Sequence, residues 1–418
     1  MKFTKNKFLS LFTILPVMVL SSCGSRLRGG VGFMHKQSGN SYGEALYNGL
    51  SQYYNEEEHK CVTADKSPSE QSVANQVQMI ETLTMMGVKG IIVSSSGVTG
   101  YDNILERTTA KGIKVVSVDS PISPKYRSIH IDHCDPEAVG AFLARAATII
   151  GIGQRLKAAG KTINEEDYDY VPSTSESEGD DKDNLKNKTK KAIEAFIEAN
   201  LNDKLKFGII SSTSDSPSQN EWISYIFKEF ENGEKNNNDY PNYKEVVEYD
   251  LTTKKEPSVQ YGLEDPTKSG EIAQTLCDKV DVIIAPSTVA MLASGEKVSS
   301  IKTKTKVTGL GMPKEMCSFM PKNKDDKPSE AVCPFMMLWN VIDFGYIAGQ
   351  ALEQALNGTS WTDKDKFTYH HLNSNAEIEV DIKPTYNDDG TLDGGYKAVV
   401  LDPLAFCRAN IEEWKEKL

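Results

Sequence analysis

From Val31 onward the chain alternates apolar runs of strand length with segments of helical period, and no other feature constrains its fold as strongly. Val31–Met34, Gly90–Val93, Ile113–Val118 and Ile129–Ile131 read as buried strands. Helices fall between them. One opens at the capping box Ser41-Tyr42-Gly43-Glu44, one carries Val73, Val77, Ile80 and Leu83 on a single face and stops at Gly87, and one covers Tyr101–Ala110. A second series follows, with strands over Phe207–Ser211, Glu245–Tyr249, Val282–Ala285 and Lys306–Gly309 and helices over Ser218–Phe230 and Ser269–Asp278. Such alternation places helices on both faces of a parallel sheet, so the expected class is α/β, with two Rossmann-like doubly wound lobes. After Phe335–Trp339 and the helix Asp343–Leu356 comes a tail, with strands at Glu377–Val380 and Ala398–Leu401 and a turn at Asn387–Gly390, expected to pack against the lobes.

What precedes Val31 is different in kind. Lys2, Lys5 and Lys7 form a positive start, Phe8–Leu20 is apolar but too short to span a bilayer, and Ser21-Ser22 are small residues before Cys23. Residues 1–22 therefore read as an export signal. The run Leu20-Ser21-Ser22-Cys23 resembles a bacterial lipobox, which makes Cys23 the expected lipidation site and residues 23–30 a short tether. The plainer alternative is an ordinary signal with an unmodified cysteine.

Loss of three lysines with the signal takes the formal net charge from −12 to −15, which disfavours a nucleic-acid partner. Beyond Cys23 there are six cysteines, none in a CxxC pair, and most read as buried small apolar residues. Only Cys317 and Cys333, flanking the polar stretch Lys322–Glu330, are candidates for a disulfide. Asn164–Asp183 is acidic, Ser-rich and poor in aliphatic residues, so a mobile surface insert is expected over about 160–186. The cluster His130–Asp135 is the best metal candidate, but strand alternation sends only His130 and Asp132 to one face. No metal and no cofactor are expected.

Open α/β sheets bind ligands beyond the carboxyl ends of their strands, and polar groups collect there. His35, Lys36 and Gln37 follow the first strand, Asp119 another, Ser218 and Gln219 a third, and Ser287 and Thr288 a fourth. Carboxylate, amide and lysine groups with an aromatic such as Trp339 suit neutral polyols, and two lobes can close over the ligand. Catalysis finds less support: the chain has no HExxH or P-loop, and no GxGxxG after its first strand.

These segments resemble a known family, the type I periplasmic binding proteins, and in particular its rhamnose-binding and autoinducer-2-binding branch. The likeness rests on VGFMHK (31–36), NQVQMIETLTMMGVKGIIVS (75–94), AKGIKVVSVDSP (110–121), SQNEWI (218–223), DVIIAPSTVA (281–290), VTGLGMPKEM (307–316) and LWNVIDFGYIAGQAL (338–352). It implies a solute receptor that hands its ligand to an ABC permease and ATPase, with crossovers near Asp132, Leu310 and Trp339. Lobe 1 would be 31–131 with 311–339, lobe 2 would be 132–310 with 340–358, and 359–418 the tail. In the autoinducer-2 branch the ligand is held by a lysine, two aspartates, a glutamine, a proline and an alanine. Lys36, Asp119, Gln219 and Pro286 match, whereas Ser218 and Thr288 replace the second aspartate and the alanine. Ser218-Gln219-Asn220-Glu221 also reads as a capping box, which would commit the serine hydroxyl to the backbone of Glu221.

With Trp339 and Asn340 added, the expected ligand-binding set is Lys36, Asp119, Ser218, Gln219, Pro286, Thr288, Trp339 and Asn340. The leading expectation is a monomeric, lipid-anchored, extracytoplasmic receptor for a rhamnose-like deoxyhexose. The alternatives are a receptor of the same fold for autoinducer-2 or a sugar signal, and a secreted enzyme acting on a sugar through Asp119.

Overall fold

The computed structural model describes residues 27–97, 99–169, 180–201, 203–234, 241–250, 257–387 and 390–418. Residues 1–22, expected to be an export signal, and Cys23 lie outside the described residues. Fifteen strands are present among those described: β1 (Val31–Met34), β2 (Thr63–Asp65), β3 (Gly90–Val93), β4 (Lys114–Val118), β5 (His130–Asp132), β6 (Phe207–Ser211), β7 (Ser258–Tyr261), β8 (Val282–Ala285), β9 (Lys306–Gly309), β10 (Met336–Leu338), β11 (Lys366–Tyr369), β12 (Ile378–Asp381), β13 (Lys383–Tyr386), β14 (Leu392–Val399) and β15 (Leu404–Phe406). They make two principal sheets. The larger runs β13-β14-β5-β4-β3-β1-β2 and is parallel except for the β13–β14 hairpin; the smaller, β7-β6-β8-β9, is wholly parallel.

The inner strands are continuous apolar runs because both faces are covered. β1, β3, β6 and β8 are buried at every residue. Helices start where side chains can take the free amide groups of a first turn. Asn40, Ser72 and Asp135 each cap one, and Gly87 closes the helix Val73–Met86 at φ 72°, a backbone conformation that costs glycine nothing. The cap at the first helix is Asn40, not Ser41: Asn40 Oδ1 accepts from Tyr42 N at 2.9 Å. One helix, Pro136–Ala158, is long and apolar enough to cross a membrane, but neighbouring elements bury it inside the second lobe.

The chain passes between the lobes three times, and not where expected. The first crossing follows β5, after which Pro136–Ala158 packs on Pro217–Glu234. Residues 310–338 then remain with the small sheet: Leu310 bridges Met337, Thr308 Oγ1 donates to Phe335 O, and β10 pairs with β15. The second crossing follows Leu338, and the third lies between β14, which pairs with β5, and β15, which pairs with β10. The expected crossing near Leu310 is therefore replaced by one at 400–403. The helix Val341–Leu356 belongs with the first lobe, not the second, and the stretch 311–338 with the second, not the first.

Glycine decides that helix's place. Gly49 and Gly345 let the helices Ser41–Asn55 and Val341–Leu356 touch backbone to backbone; a Cβ on Gly49 would stand 1.9 Å from Ile342 O, and one on Gly345 1.9 Å from Leu46 O.

Other expectations also fail on tertiary grounds. Glu245–Tyr249 is no strand: Tyr243–Glu245 is a 3-10 turn and Val247 makes only an isolated bridge to Leu205. The neighbour of β6 is β7 instead. The start of the acidic stretch is anchored, because Tyr168 is buried against Gly153 and the fully buried Asp169 pairs with Arg408 Nε at 2.7 Å. Its far end runs into the helix Asp180–Glu198, and the middle of the expected insert, 170–179, lies outside the described residues. Cys317 and Cys333 are free thiols; the first donates to Lys314 O, while the second is buried within the second lobe and donates to Phe335 O.

Gly345→Ala should push the two helices apart at a cost of about 1–3 kcal/mol or more, lowering the melting temperature by roughly 2–4 °C for each kcal/mol. Gly270→Ala is the control, since its Cβ meets nothing nearer than Lys297 Cε at 3.7 Å. Thermal unfolding of the two variants beside the parent checks this, and equal melting temperatures would remove the close approach as a determinant.

Candidate functional site

The carboxyl ends of β1 and β4 present charged groups to the space between the lobes. Asp119, in the left-handed region at φ 59°, turns its side chain back across the sheet end. Its Oδ2 lies 2.8 Å from Lys36 Nζ and accepts from Ser94 Oγ at 2.8 Å; its Oδ1 faces His133 Nε2 at 3.4 Å. The residue is 5% exposed. Burial works to raise its carboxyl, yet Lys36, His133 and His35 together hold it well below the usual carboxylate range. His133 Nδ1 accepts from the amide of Cys134 at 2.7 Å, which leaves Nε2 as the nitrogen that carries the proton toward Asp119. His35 is driven down to about 4 by burial and then by Lys36, so it is neutral at ordinary pH.

The second lobe supplies the facing wall. Gln219 sits in the first turn of Pro217–Glu234, and its Oε1 accepts from Ser211 Oγ and Ser212 N, both at 2.7 Å. Those bonds aim the amide Nε2 outward, where it reaches Glu264 Oε1 at 3.5 Å. Glu264 follows β7 at φ 53° and takes the Ser287 hydroxyl at 3.1 Å from either oxygen. Burial raises its carboxyl, partly offset by Lys36 and by the Ser287 and Gln219 bonds. Trp339 forms the floor at the second crossing. It stacks on His133 at 3.6 Å and 16°, and its Nε1 donates to Tyr42 OH at 3.2 Å.

Together these groups line one cleft of about 480 Å³, open mouth included. Small-ligand sites typically combine apolar walls with a few convergent polar groups. Six of the expected residues lie on it: Lys36, Asp119, Gln219, Pro286, Thr288 and Trp339.

Ser218 and Asn340 do not line the cleft. Ser218 shares a 2.7 Å bond with Ser120 Oγ and donates to Asp119 O, so it joins the lobes instead of closing a capping box with Glu221. Asn340 caps the helix Val341–Leu356, accepting from Asp343 N and donating to Asp343 Oδ2 at 2.7 Å. Residues the sequence reading did not assign also line the cleft, notably Glu264, Trp222, Tyr42 and Asn40. Glu264 could have been found by the strand-end rule had β7 been recognised. The cluster at His130–Asp135 does not converge: His130 pairs with Ser117, Asp132 with Lys397 Nζ at 3.0 Å, and no metal-binding group of three forms among the described residues.

Asp119→Asn leaves Lys36 buried without its anion, an arrangement that costs about 3–5 kcal/mol in comparable sites. Because the carboxyl is depressed on folding, its contribution is present above the unfolded value of about 4 and lost as pH falls through the lower folded one. The stability gap between parent and Asp119→Asn, read by denaturant unfolding, should be constant at neutral pH and close only below about pH 4. A gap that closes near neutrality would contradict the assignment.

A family model described as the periplasmic binding protein domain matches residues 31–360. The fold is similar to an ABC transporter solute-binding protein from Clostridium phytofermentas with bound L-rhamnose, at 20% identity over 93% of this chain and 98% of that one, TM-score 0.66. It is also similar to LsrB from Clostridium saccharobutylicum in complex with AI-2, at 17% identity over 92% and 99%, TM-score 0.67. A solute-binding protein from Burkholderia graminis in complex with D-arabinose matches at 16% identity over 91% and 96%, TM-score 0.55. Two lobes with parallel sheets, three crossings, a cleft between them and a family match over most of the chain lead to one statement: the chain belongs to the periplasmic binding protein family, whose members are extracytoplasmic solute-binding components of transport systems.

Proposed function

We propose that this protein binds a small uncharged polyol, a rhamnose-like deoxyhexose first among them, and delivers it to an ABC permease from a membrane to which Cys23 anchors it. The observation that carries this is the convergence of Lys36 and Asp119 from one lobe with Gln219 and Glu264 from the other. Charged acceptors and amide donors on opposite walls are what vicinal hydroxyls require. The charged residues on the cleft are one lysine, two carboxylates and the neutral His35, a balance that disfavours an anionic ligand. Leu310, Leu338 and Trp222 add an apolar wall suited to the methyl group of a deoxy sugar.

L-rhamnose is the ligand bound in one of the similar structures. AI-2 is the second reading, because the LsrB structure that carries it matches this fold equally well. Against it stand Thr288 at the strand end and the Ser218 hydroxyl spent between the lobes.

Titration calorimetry of the mature protein against L-rhamnose, L-mannose, D-arabinose and AI-2 tests the reading. L-rhamnose should bind at least tenfold more tightly than L-mannose, which differs by one added hydroxyl, since burying an unpaired hydroxyl costs about 1–3 kcal/mol. Heat from AI-2 alone would select the second reading. Cys23→Ser should move the protein from the membrane fraction to the soluble one without altering ligand affinity, and a variant that still sediments with membranes would remove the anchor.

A further inference from the structure

We propose that Glu264 is the second lobe's charged ligand-binding residue, accepting ligand hydroxyls opposite Asp119. The inference deepens the sugar-site reading above and rests on it.

The argument is one of elimination among acceptors. A polyhydroxylated ligand held between two walls needs acceptors on both, since each hydroxyl donates once. The first lobe offers Asp119. On the second lobe, Ser218 is spent on Ser120 and on Asp119 O, and Gln219 Oε1 is spent on Ser211 and Ser212. Those bonds leave Gln219 as a donor to the cleft. Ser287 donates its own proton to Glu264, and Thr288 brings a neutral hydroxyl, not a charge, to the same wall. Glu264 is the one carboxylate that the second lobe contributes to the cleft lining. Its two oxygens can take about four hydrogen bonds, and the two protein donors leave capacity over.

The loop that carries it is built to hold it there. Gly262 N donates to Ser211 O at 2.8 Å and Leu263 N to Ser212 O at 2.7 Å, which fixes the turn to the end of β6. Gly262 has no room for a side chain, because a Cβ would meet Ser269 Oγ at 2.1 Å. Asp265 then caps the helix Pro266–Leu276 through Lys268 N. Between these fixed points Leu263 and Glu264 both adopt left-handed backbone, at φ 60° and 53°, which side-chain-bearing residues rarely do in succession. Leu263 is about half exposed and contributes no core packing in return, so the strained pair is explained by where it delivers the Glu264 carboxylate.

The test compares Glu264→Gln with the parent in calorimetric titrations with L-rhamnose, D-arabinose and AI-2 as probes. Glutamine keeps the shape and one acceptor oxygen but replaces the charge, so affinity for the sugar that the parent binds should fall on the order of tenfold to a hundredfold. The melting temperature without ligand should stay within a few degrees, since glutamine keeps an oxygen for the Ser287 hydroxyl and only the attraction to Lys36 across the cleft is lost. Should Glu264→Gln fail to fold, Glu264→Asp keeps the charge one methylene short and should show the same loss in smaller measure.

A second readout is pH. Lys36, Asp119 and His35 face Glu264 across the cleft, and His133 stands behind Asp119; Asp119 is held low and His35 is near 4, so neither titrates in the mildly acidic range. The parent should weaken as the pH falls and Glu264, whose carboxyl is raised by burial, takes up a proton, and Glu264→Gln should lack that step. A slope that persists unchanged in the variant counts against the proposal. If the parent binds a sugar and Glu264→Gln binds it within twofold, Glu264 is not a ligand group, while the sugar-site reading stands. If the parent binds none of the three probes, that reading falls and this one with it.

Discussion

Taking Asp119 out of water is the constraint around which the rest is arranged. A carboxylate buried to this degree is tolerable only when opposite charge and donors surround it, and Lys36, Ser94 and His133 do so from three different strand ends. Each of those partners is placed by the parallel order of the large sheet, in which β1, β3, β4 and β5 lie within a run of neighbours. The ion pair thereby ties sheet order to cleft chemistry. The same residue also links the lobes, because its carbonyl oxygen receives the Ser218 hydroxyl.

The crossings carry this linkage into the aromatic floor. Trp339 stands at the second crossing and stacks on His133, which follows β5 at the first. Trp222 approaches the same indole at 6.0 Å from the second lobe. Aromatic contacts of this kind add about 0.5–1.5 kcal/mol each beyond their buried area. A ligand seated on Trp339 thus rests on a surface to which both crossings contribute, and any rotation of one lobe about the other is felt at its underside.

What the sequence discloses follows from burial. Strands covered on both faces, such as β3 (GIIV) and β8 (VIIA), are uninterrupted apolar runs and are legible at once. Edge strands are not: β2 (TAD) and β7 (SVQY) are short, half-buried and mixed in polarity, and missing β7 hid Glu264. The two capping-box patterns do not form the boxes their spacing predicts, and for one reason. Ser41 and Ser218 have the right local spacing, but their hydroxyls go to Glu315 and to Asp119 O and Ser120, partners remote in sequence. The lobe to which helix Val341–Leu356 belongs is not legible in its own sequence, because its place depends on Gly345 meeting Leu46 and on Gly49 meeting Ile342, a complementarity that neither segment shows alone. Six of eight expected site residues do line the cleft, since strand ends converge whatever the details of the helices, whereas Asn340 was claimed by its own helix.

The bonds that hold the lobes together are of a kind that a ligand can outweigh or complete. Ser41 donates to Glu315 at 2.7 Å on one flank, and Ser218 meets Ser120 and Asp119 O on another. Hydrogen bonds to neutral groups contribute about 0.5–1.5 kcal/mol net and those to charged groups about 1.5–3 kcal/mol. Were the lobes to part at these points, the same hydroxyls would bond to water, so these bonds by themselves hold a closed arrangement only modestly. A guest that adds two or three charge-assisted bonds from both walls then supplies several kcal/mol found only in the closed form, enough to move such an equilibrium by two or more decades. Buried charge on one lobe and weak polar contacts between the two are complementary: the first fixes the site's geometry without ligand, and the second leaves closure for the ligand to decide.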